Sequence, residues 1–310
     1  MTKTTHVFRP VESYNLHKTC DFGSFSRAKY STDIYCGGAY KRVLQCKPES
    51  KLVSVSQPQP THHNHIEITI EGEKSTESSI KHCITQISRM IGADQDPSGF
   101  YLMAESDSFL NPLVDKFFGL HIPQTASVFE GLVLAILGQQ ISTHVAGILR
   151  SLIVERYGSI LSVGNETYHS FPSPQSLELA GVEELHANKF SRRKAEYLCE
   201  ISALESKGTI HLENLRNLAI EDAVNMLTSL RGVGQWTAQW LLIRSLGYED
   251  GFPSGDLALQ KILGDYFNGG EIMSEREIME FSARWRPYRS WVTTYIFAGL
   301  RCGVFSVASK

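Results

Sequence analysis

No stretch of the 310 residues approaches the roughly 18 consecutive apolar positions that a membrane-spanning helix requires, so a soluble chain is expected. The six cysteines, at positions 20, 36, 46, 83, 199 and 302, form no CxxC pair and no metal-ligand spacing. Together with the lack of a secretory leader at the N-terminus, that points to a reducing, intracellular setting. Positive charge is also in short supply: 30 Lys and Arg face 33 Asp and Glu, for a net charge of -3. A protein that coats polyanions without discrimination needs clustered cations, so that class is disfavoured. No internal repeat and no low-complexity segment interrupts the chain.

What is present is ample apolar content, 42% of the residues, enough for buried cores, in a length that suggests two or three structural units. From the start to about Pro97 the pattern reads as strands followed by a helix. Ile66, Ile68 and Ile70 alternate with polar residues, and the segments 41–46 and 51–56 resemble neighbouring strands of a small antiparallel sheet. Ile80, Ile84, Ile87 and Ile91 fall at helical spacing within 75–91, which predicts a helix covering one face of that sheet. His62, His63 and His65 cluster before the strand, but no carboxylate or Cys completes a ligand set, so an exposed turn is expected there rather than a metal site. Beyond Phe100 helical periodicity dominates and no further strands are expected. A stripe through Val128, Leu132, Ala135 and Ile136 ends in GQQIS at 138–142, where a second helix pattern, 143–157, begins.

The most informative stretch runs from Leu230 to Leu263. Gly232-Val233-Gly234 forms a tight turn between two helical patterns, 219–230 and 235–245. Amides at Gly232, Gly234 and Thr237, at the start of the second helix, can together hold an anion. A short Gly-hydrophobic-Gly turn is weak evidence alone; its place between two helices strengthens it. Asp256 opens a further helical pattern, and taken alone is read as an N-cap. One intervening helix and a short turn could also return its carboxylate to the anion cradle. Two local basic groups, Lys189/Arg192/Arg193/Lys194 and Arg284/Arg286/Arg289, read either as solvated helix faces or as contacts for phosphate.

The helix, Gly-Val-Gly hairpin and helix, followed by a Gly/Pro-containing turn and an aspartate, resembles the helix-hairpin-helix DNA glycosylase superfamily. Trp236, Trp240 and RWRPYRSW at 284–291 are similar to its alkylation-repair branch, the 3-methyladenine DNA glycosylase II (AlkA) type. The resemblance implies an α+β N-terminal domain (small antiparallel sheet with helices), 1–99, followed by an all-α glycosylase body, 100–310, of two helical lobes. One lobe would comprise 128–245 with the hairpin, the other 100–127 plus 246–310, and the site would lie in the cleft between them. It also implies that a damaged nucleotide is flipped out of the duplex and its N-glycosidic bond cut.

Carried over by residue, the resemblance makes Asp256 the catalytic aspartate, stabilising an oxocarbenium-like sugar and positioning water. Bifunctional relatives have a lysine two residues after the second hairpin glycine; here that position is Trp236, so hydrolysis without strand cleavage is expected. Trp236, Trp240 and Tyr288 would form an aromatic base pocket suited to cationic alkylpurines, whereas Trp285 and Trp291 are expected in the core. Gln140, or else Ile141, would fill the gap left by the flipped base, although an exposed helix terminus is an equal reading of Gln140. Backbone carbonyls of Thr228, Leu230 and Val233 would offer a site to Na+ or K+. Only Cys302 lies near the C-terminus, so an iron-sulfur cluster is not expected, and no cofactor is required.

The expectation is thus a monofunctional glycosylase for 3-methyladenine and related alkylpurines, acting as a monomer on duplex DNA, away from membranes, in the cytoplasm. A glycosylase for oxidised or deaminated bases, or a non-catalytic helix-hairpin-helix DNA-binding protein with Asp256 as a mere cap, are the alternatives. A pure backbone binder would have no use for Trp236 and Trp240 facing a cleft.

Overall fold

The computed structural model describes residues 2–22, 32–46, 49–59, 64–73 and 76–306. In chain order the elements are β1 (Thr2–Phe8), α1 (Leu16–Phe22), β2 (Ile34–Cys36), β3 (Ala39–Cys46), β4 (Glu49–Ser56), β5 (Ile66–Gly72), α2 (Glu77–Met90), α3 (Ser98–Glu105), α4 (Asn111–Phe117), α5 (Val128–Gly138), α6 (Thr143–Tyr157), β6 (Ile160–Val163), β7 (Glu166–His169), α7 (Pro174–Ala187), α8 (Arg192–Ser206), α9 (Ile220–Ser229), α10 (Gln235–Leu241), α11 (Leu257–Phe267), α12 (Glu275–Phe281) and α13 (Arg289–Arg301). A π-helical turn, Leu242–Leu246, continues α10.

The first five strands form one antiparallel sheet in the order β1-β5-β4-β3-β2. The alternation in β5 buries Ile66, Ile68 and Ile70 on one face, as a half-buried strand requires. Helix α2 starts at Thr76, whose side chain accepts from the Ser79 amide at 3.2 Å. It lays Ile80, Ile84 and Ile87, followed by Ile91, against that face. Cys46 and Cys83, 37 residues apart, are joined as a disulfide. The sheet-helix contact, invisible in sequence spacing, brings β3 and α2 side by side. Of the expected histidine turn, His62 and His63 lie outside the described residues; among the described residues no group of three His, Cys, Asp or Glu could hold a metal.

Two further cores organise the helices. Val133 of α5, Leu198 of α8, Leu227 of α9 and Ala238 of α10 belong to one. Phe100, Phe117, Leu263 and Trp291, from α3, α4, α11 and α13, belong to the other. The π-helical turn spans the seam: Leu242 packs in the first core and Ile243 in the second. Trp285 and Trp291, each 1% exposed, fill the second core as expected. Their indole N–H groups donate to Asp107 (2.8 Å) and Glu249 (3.3 Å), so burial leaves neither unpaired. Arg42 of β3 pairs with Glu130 of α5 and with Asp33, joining the sheet unit to the helical body through a buried ion cluster.

The expectation of no strand after residue 100 is corrected. β6 and β7 form an antiparallel hairpin that turns at Gly164, whose φ is +59°. Four-residue strands are too short to show a period of two, and this hairpin is held by tertiary contact. Tyr168 packs on Val43 and Leu52, with Leu161 and Val163 beside it, on the outer face of the large sheet. No helix among the described residues is long and apolar enough to cross a membrane.

Candidate active site

The hairpin is held from inside by its apolar residues and leaves Gly234 exposed. Leu230 and Val233 are both buried in the first helical core, and the Val233 amide closes the turn on the Leu230 carbonyl at 3.1 Å. Gly232 has φ +88°, a conformation that side chains rarely adopt, and a Cβ there would run into the Tyr197 ring. Gly234 is extended, is exposed and caps α10. The amides of the first turn of α10 have no acceptor inside the helix, so they face outward with the positive end of its dipole. Thr237, expected to contribute here, has its side chain buried; only its backbone amide belongs to that turn.

The hairpin shares a groove with the α5–α6 loop and the start of α8, lined by Gln139, Gln140, Arg193, Lys194 and Gly234. Gln139 donates to the Gly232 carbonyl (2.9 Å) and to Thr237 Oγ1 (3.3 Å). Lys194 Nζ donates to the carbonyls of Leu137 (2.7 Å) and Gln139 (3.0 Å). The loop and the hairpin are therefore locked to one another. Gln139 was not singled out by sequence reasoning, and the GQQIS stretch carried no mark distinguishing the glutamine that ties the loop from the one that faces outward. Gln140 is exposed at the loop tip with φ +55°, a left-handed conformation that is costly for a residue with a Cβ. Of the two basic groups, the first borders this groove through Arg193 and Lys194. The second is structural: Arg289 is buried and bonded to Asp250 at 2.6 and 2.7 Å, and Arg286 reaches the same carboxylate at 3.7 Å.

On the other side of the loop lies a cavity of about 400 Å³ lined by Ile141, Trp236, Trp240, Asp256 and Phe297, together with Arg244 and Arg301. Asp256 caps α11: its Oδ1 accepts from the amides of Ala258 (2.9 Å) and Leu259 (3.2 Å). Its Oδ2 accepts from Trp236 Nε1 at 3.0 Å. The cap and cavity readings of Asp256 thus coexist, since one oxygen serves the helix while the other is held at the cavity wall. Asp256 is the lone carboxylate among the residues lining this cavity. Trp236 follows the hairpin by two residues, so the outward-facing amides and the carboxylate are coupled through one short helix.

Tyr288 does not join this cavity, which corrects the expectation for the third aromatic residue. It precedes α13, and its hydroxyl packs against Gly99, where any side chain would collide with it. Phe297, two turns into α13, supplies an aromatic lining instead. A larger cavity of about 1290 Å³ lies beside α1 and β2. None of the expected site residues lines it. Thr228 lies in the last turn of α9, with Leu230 as its C-cap and Val233 in the hairpin beyond. Leu230 already spends one lone pair on the Val233 amide.

The profile of the family described as HhH-GPD superfamily base excision DNA repair protein matches residues 133–287, a span containing the hairpin, Trp236, Trp240 and Asp256. The chain is 31% identical over 204 residues to the DNA-3-methyladenine glycosylase of Bacillus subtilis (strain 168), covering 66% of this chain and 67% of the relative. It is 26% identical over 273 residues to DNA-3-methyladenine glycosylase 2 of Escherichia coli (strain K12), covering 88% and 89%. Among solved structures, the 3-methyladenine DNA-glycosylase from Archaeoglobus fulgidus superposes with a TM-score of 0.85 at 27% identity, over 98% of this chain and 100% of that one.

Proposed function

The chain belongs to the HhH-GPD superfamily of base excision DNA repair proteins, and on that footing we propose that it is a monofunctional DNA glycosylase that removes alkylated bases, 3-methyladenine among them, from duplex DNA. The hairpin amides and the groove beside them take the backbone phosphate, a contact that positions without reading sequence. The damaged nucleotide rotates out of the stack into the cavity between Trp236 and Trp240. Gln140 or Ile141 enters the gap it leaves. The Asp256 carboxylate stabilises the positive charge that develops on the deoxyribose as the glycosidic bond breaks, and water completes the hydrolysis.

The observation that carries this reading is the hydrogen bond from Trp236 Nε1 to Asp256 Oδ2. It holds a carboxylate at the wall of a cavity large enough for a base. It also fills with an indole the position from which an amine would attack the sugar, which supports hydrolysis without strand cleavage. Na+ or K+ at the carbonyls of Thr228, Leu230 and Val233 would add positive charge beside the phosphate; no step of the reaction depends on it. We take the acting species to be a monomer, working on chromosomal DNA in the cytoplasm.

The test uses duplexes with a single defined lesion, wild type and Asp256→Asn, and product analysis with and without hot alkali. Wild type is expected to release 3-methyladenine and to leave sites that break only under alkali. Full activity in Asp256→Asn sinks the assignment of the carboxylate. Strand breaks without alkali sink the monofunctional reading.

A further inference from the structure

In a groove otherwise worked by main-chain groups, one side chain stands out. Lys189, Arg192, Arg193 and Lys194 gather at the start of α8, and Arg231 belongs to the hairpin. Most of that charge is already spent. Arg192 pairs with Glu183 at 2.6 Å, and Arg231 pairs with Glu196 at 3.1 Å and Glu200 at 3.5 Å. The Lys194 amine is taken up by the carbonyls of Leu137 and Gln139, and Lys189 is not part of the groove's lining. Arg193 differs from all of them. It is exposed, it lines the groove of about 360 Å³ with Gln140 and Gly234, and among the described residues it makes no ion pair. Glu196, three residues on, is held by Arg231 and, at 3.8 Å, by Arg192.

An unpaired surface arginine is ordinarily a solvated one, free to change rotamer. Arg193 is instead held in place, because its Nε donates to the Tyr197 hydroxyl at 2.5 Å. Tyr197 is buried in the first helical core, and its ring lies against Gly232, where a Cβ would come within 2.3 Å of it. The Arg231 guanidinium carbon stands 5.3 Å from the centroid of the same ring, a second hold on its orientation. Hairpin, ring and guanidinium thus keep one register. With Nε spent, the N–H groups of both terminal nitrogens remain as a planar fork of donors that no carboxylate of the described residues takes. A fixed cation without a counter-ion, in the groove that the hairpin shares, is complementary to an anion arriving from outside.

We propose that Arg193, aimed by the Tyr197 hydroxyl, binds a second backbone phosphate of the duplex, beside the one on the hairpin. The proposal rests on the reading that this groove takes the DNA backbone, and it deepens that reading by naming the side chain and its support. The fork matches two oxygens of a phosphodiester, which fixes orientation as well as charge, and such a contact reads no sequence. Tyr197 is a positioning residue: it acts on the phosphate only through Arg193. The whole chain carries a net charge of -3, so attraction to DNA depends on a few oriented contacts of this kind.

The experiment measures affinity for a duplex with one tetrahydrofuran abasic analogue, by fluorescence anisotropy across a KCl series. It compares wild type, Arg193→Met, Arg193→Lys, Tyr197→Phe, the Tyr197→Phe/Arg193→Met double variant and, as a control on the same helix, Arg192→Met. Arg193→Met should bind about tenfold more weakly, and its slope of log K against log[KCl] should shrink by about 0.9, the counter-ion share of one phosphate. Arg193→Gln replaces it should the Met variant fail to fold. Arg193→Lys keeps the charge and loses the fork, so it should keep the wild-type slope with about threefold weaker binding. Tyr197→Phe retains the ring against Gly232 and deletes the hydroxyl; it should weaken binding about fivefold in the wild-type background and not at all beside Arg193→Met. Arg192→Met should keep the wild-type slope. An unchanged slope in Arg193→Met, or an equal change in Arg192→Met, overturns the phosphate contact. Additive losses for Tyr197→Phe and Arg193→Met overturn the positioning role. Failure of wild type to bind the duplex at any salt would instead sink the DNA-binding reading beneath both.

Discussion

The hairpin groove and the cavity behind it are neighbours built on opposite principles. The groove works through main-chain groups: a glycine at φ +88°, the outward amides of α10, and carbonyls tied down by Gln139 and Lys194. The cavity works through side chains from α10, its π-helical turn, the start of α11 and the far half of α13. A main-chain site tolerates most exchanges of side chain and suits a ligand such as phosphate, which repeats along every sequence. A side-chain site can be retuned by one substitution and suits the part of the substrate that must be discriminated. Trp236 belongs to both, as the second residue of α10 and as the donor to Asp256.

Selective damage to one side or the other separates the two. The largest effect is expected in the cavity: Asp256→Asn should slow single-turnover base release about a thousandfold, roughly 4 kcal/mol of transition-state stabilisation, with DNA affinity within about twofold of wild type in a filter-binding or anisotropy assay. A comparable loss of affinity would blur the distinction between the two regions. A control outside both comes next. His121 is fully buried, with Nδ1 2.6 Å from the Gly92 carbonyl, and burial holds it down at about 4. Above its ordinary value of about 6.5 neither the folded nor the unfolded state is protonated there. Between about 6.5 and 4 the unfolded chain binds a proton that the folded chain refuses, so stability falls with pH by up to about 3 kcal/mol. Urea denaturation across that window should show this slope, and His121→Phe should flatten it.

On the groove side, Gly232→Ala forces a Cβ into the Tyr197 ring at positive φ, a strain of about 2 kcal/mol. A lowered melting temperature and at least tenfold weaker binding to undamaged duplex are expected, and unchanged binding would remove the hairpin from the interface. Trp236→Phe keeps the aromatic wall but deletes one donor to Asp256. Loss of a hydrogen bond to a charged acceptor, about 1.5 kcal/mol, should lower the rate about tenfold and leave affinity alone. The smallest effect is Gln139→Ala, about 1 kcal/mol, read as weakened DNA binding through a loosened loop.

Features of the chain that depend on local geometry were legible beforehand. The period of two in Ile66, Ile68 and Ile70, the helical spacing of the isoleucines of α2, and the Gly-Val-Gly turn all express constraints that act within a few residues. Asp256 was legible as a cap for the same reason. The convergence of side chains was not. Tyr288 lies in a run of aromatic and basic residues that looks like a pocket wall, yet it turns toward Gly99. Arg244, by contrast, looks like an isolated charge in an apolar helix and proves to line the cavity. Nothing in the spacing of Cys46 and Cys83, or in the four-residue strands β6 and β7, announces the contacts they make.

The sequence by itself therefore determined the longer elements, the hairpin and the aspartate's place at a helix start, because φ preferences, caps and hydrophobic periods are properties of short segments. Tertiary structure alone decided which aromatic residues face the cavity, which glutamine ties the loop to the hairpin, and that two arginines share a chamber with one carboxylate. Those outcomes depend on how α10, α11 and α13 pack across two cores, and so on side chains dozens of residues apart meeting in a space that no local rule describes.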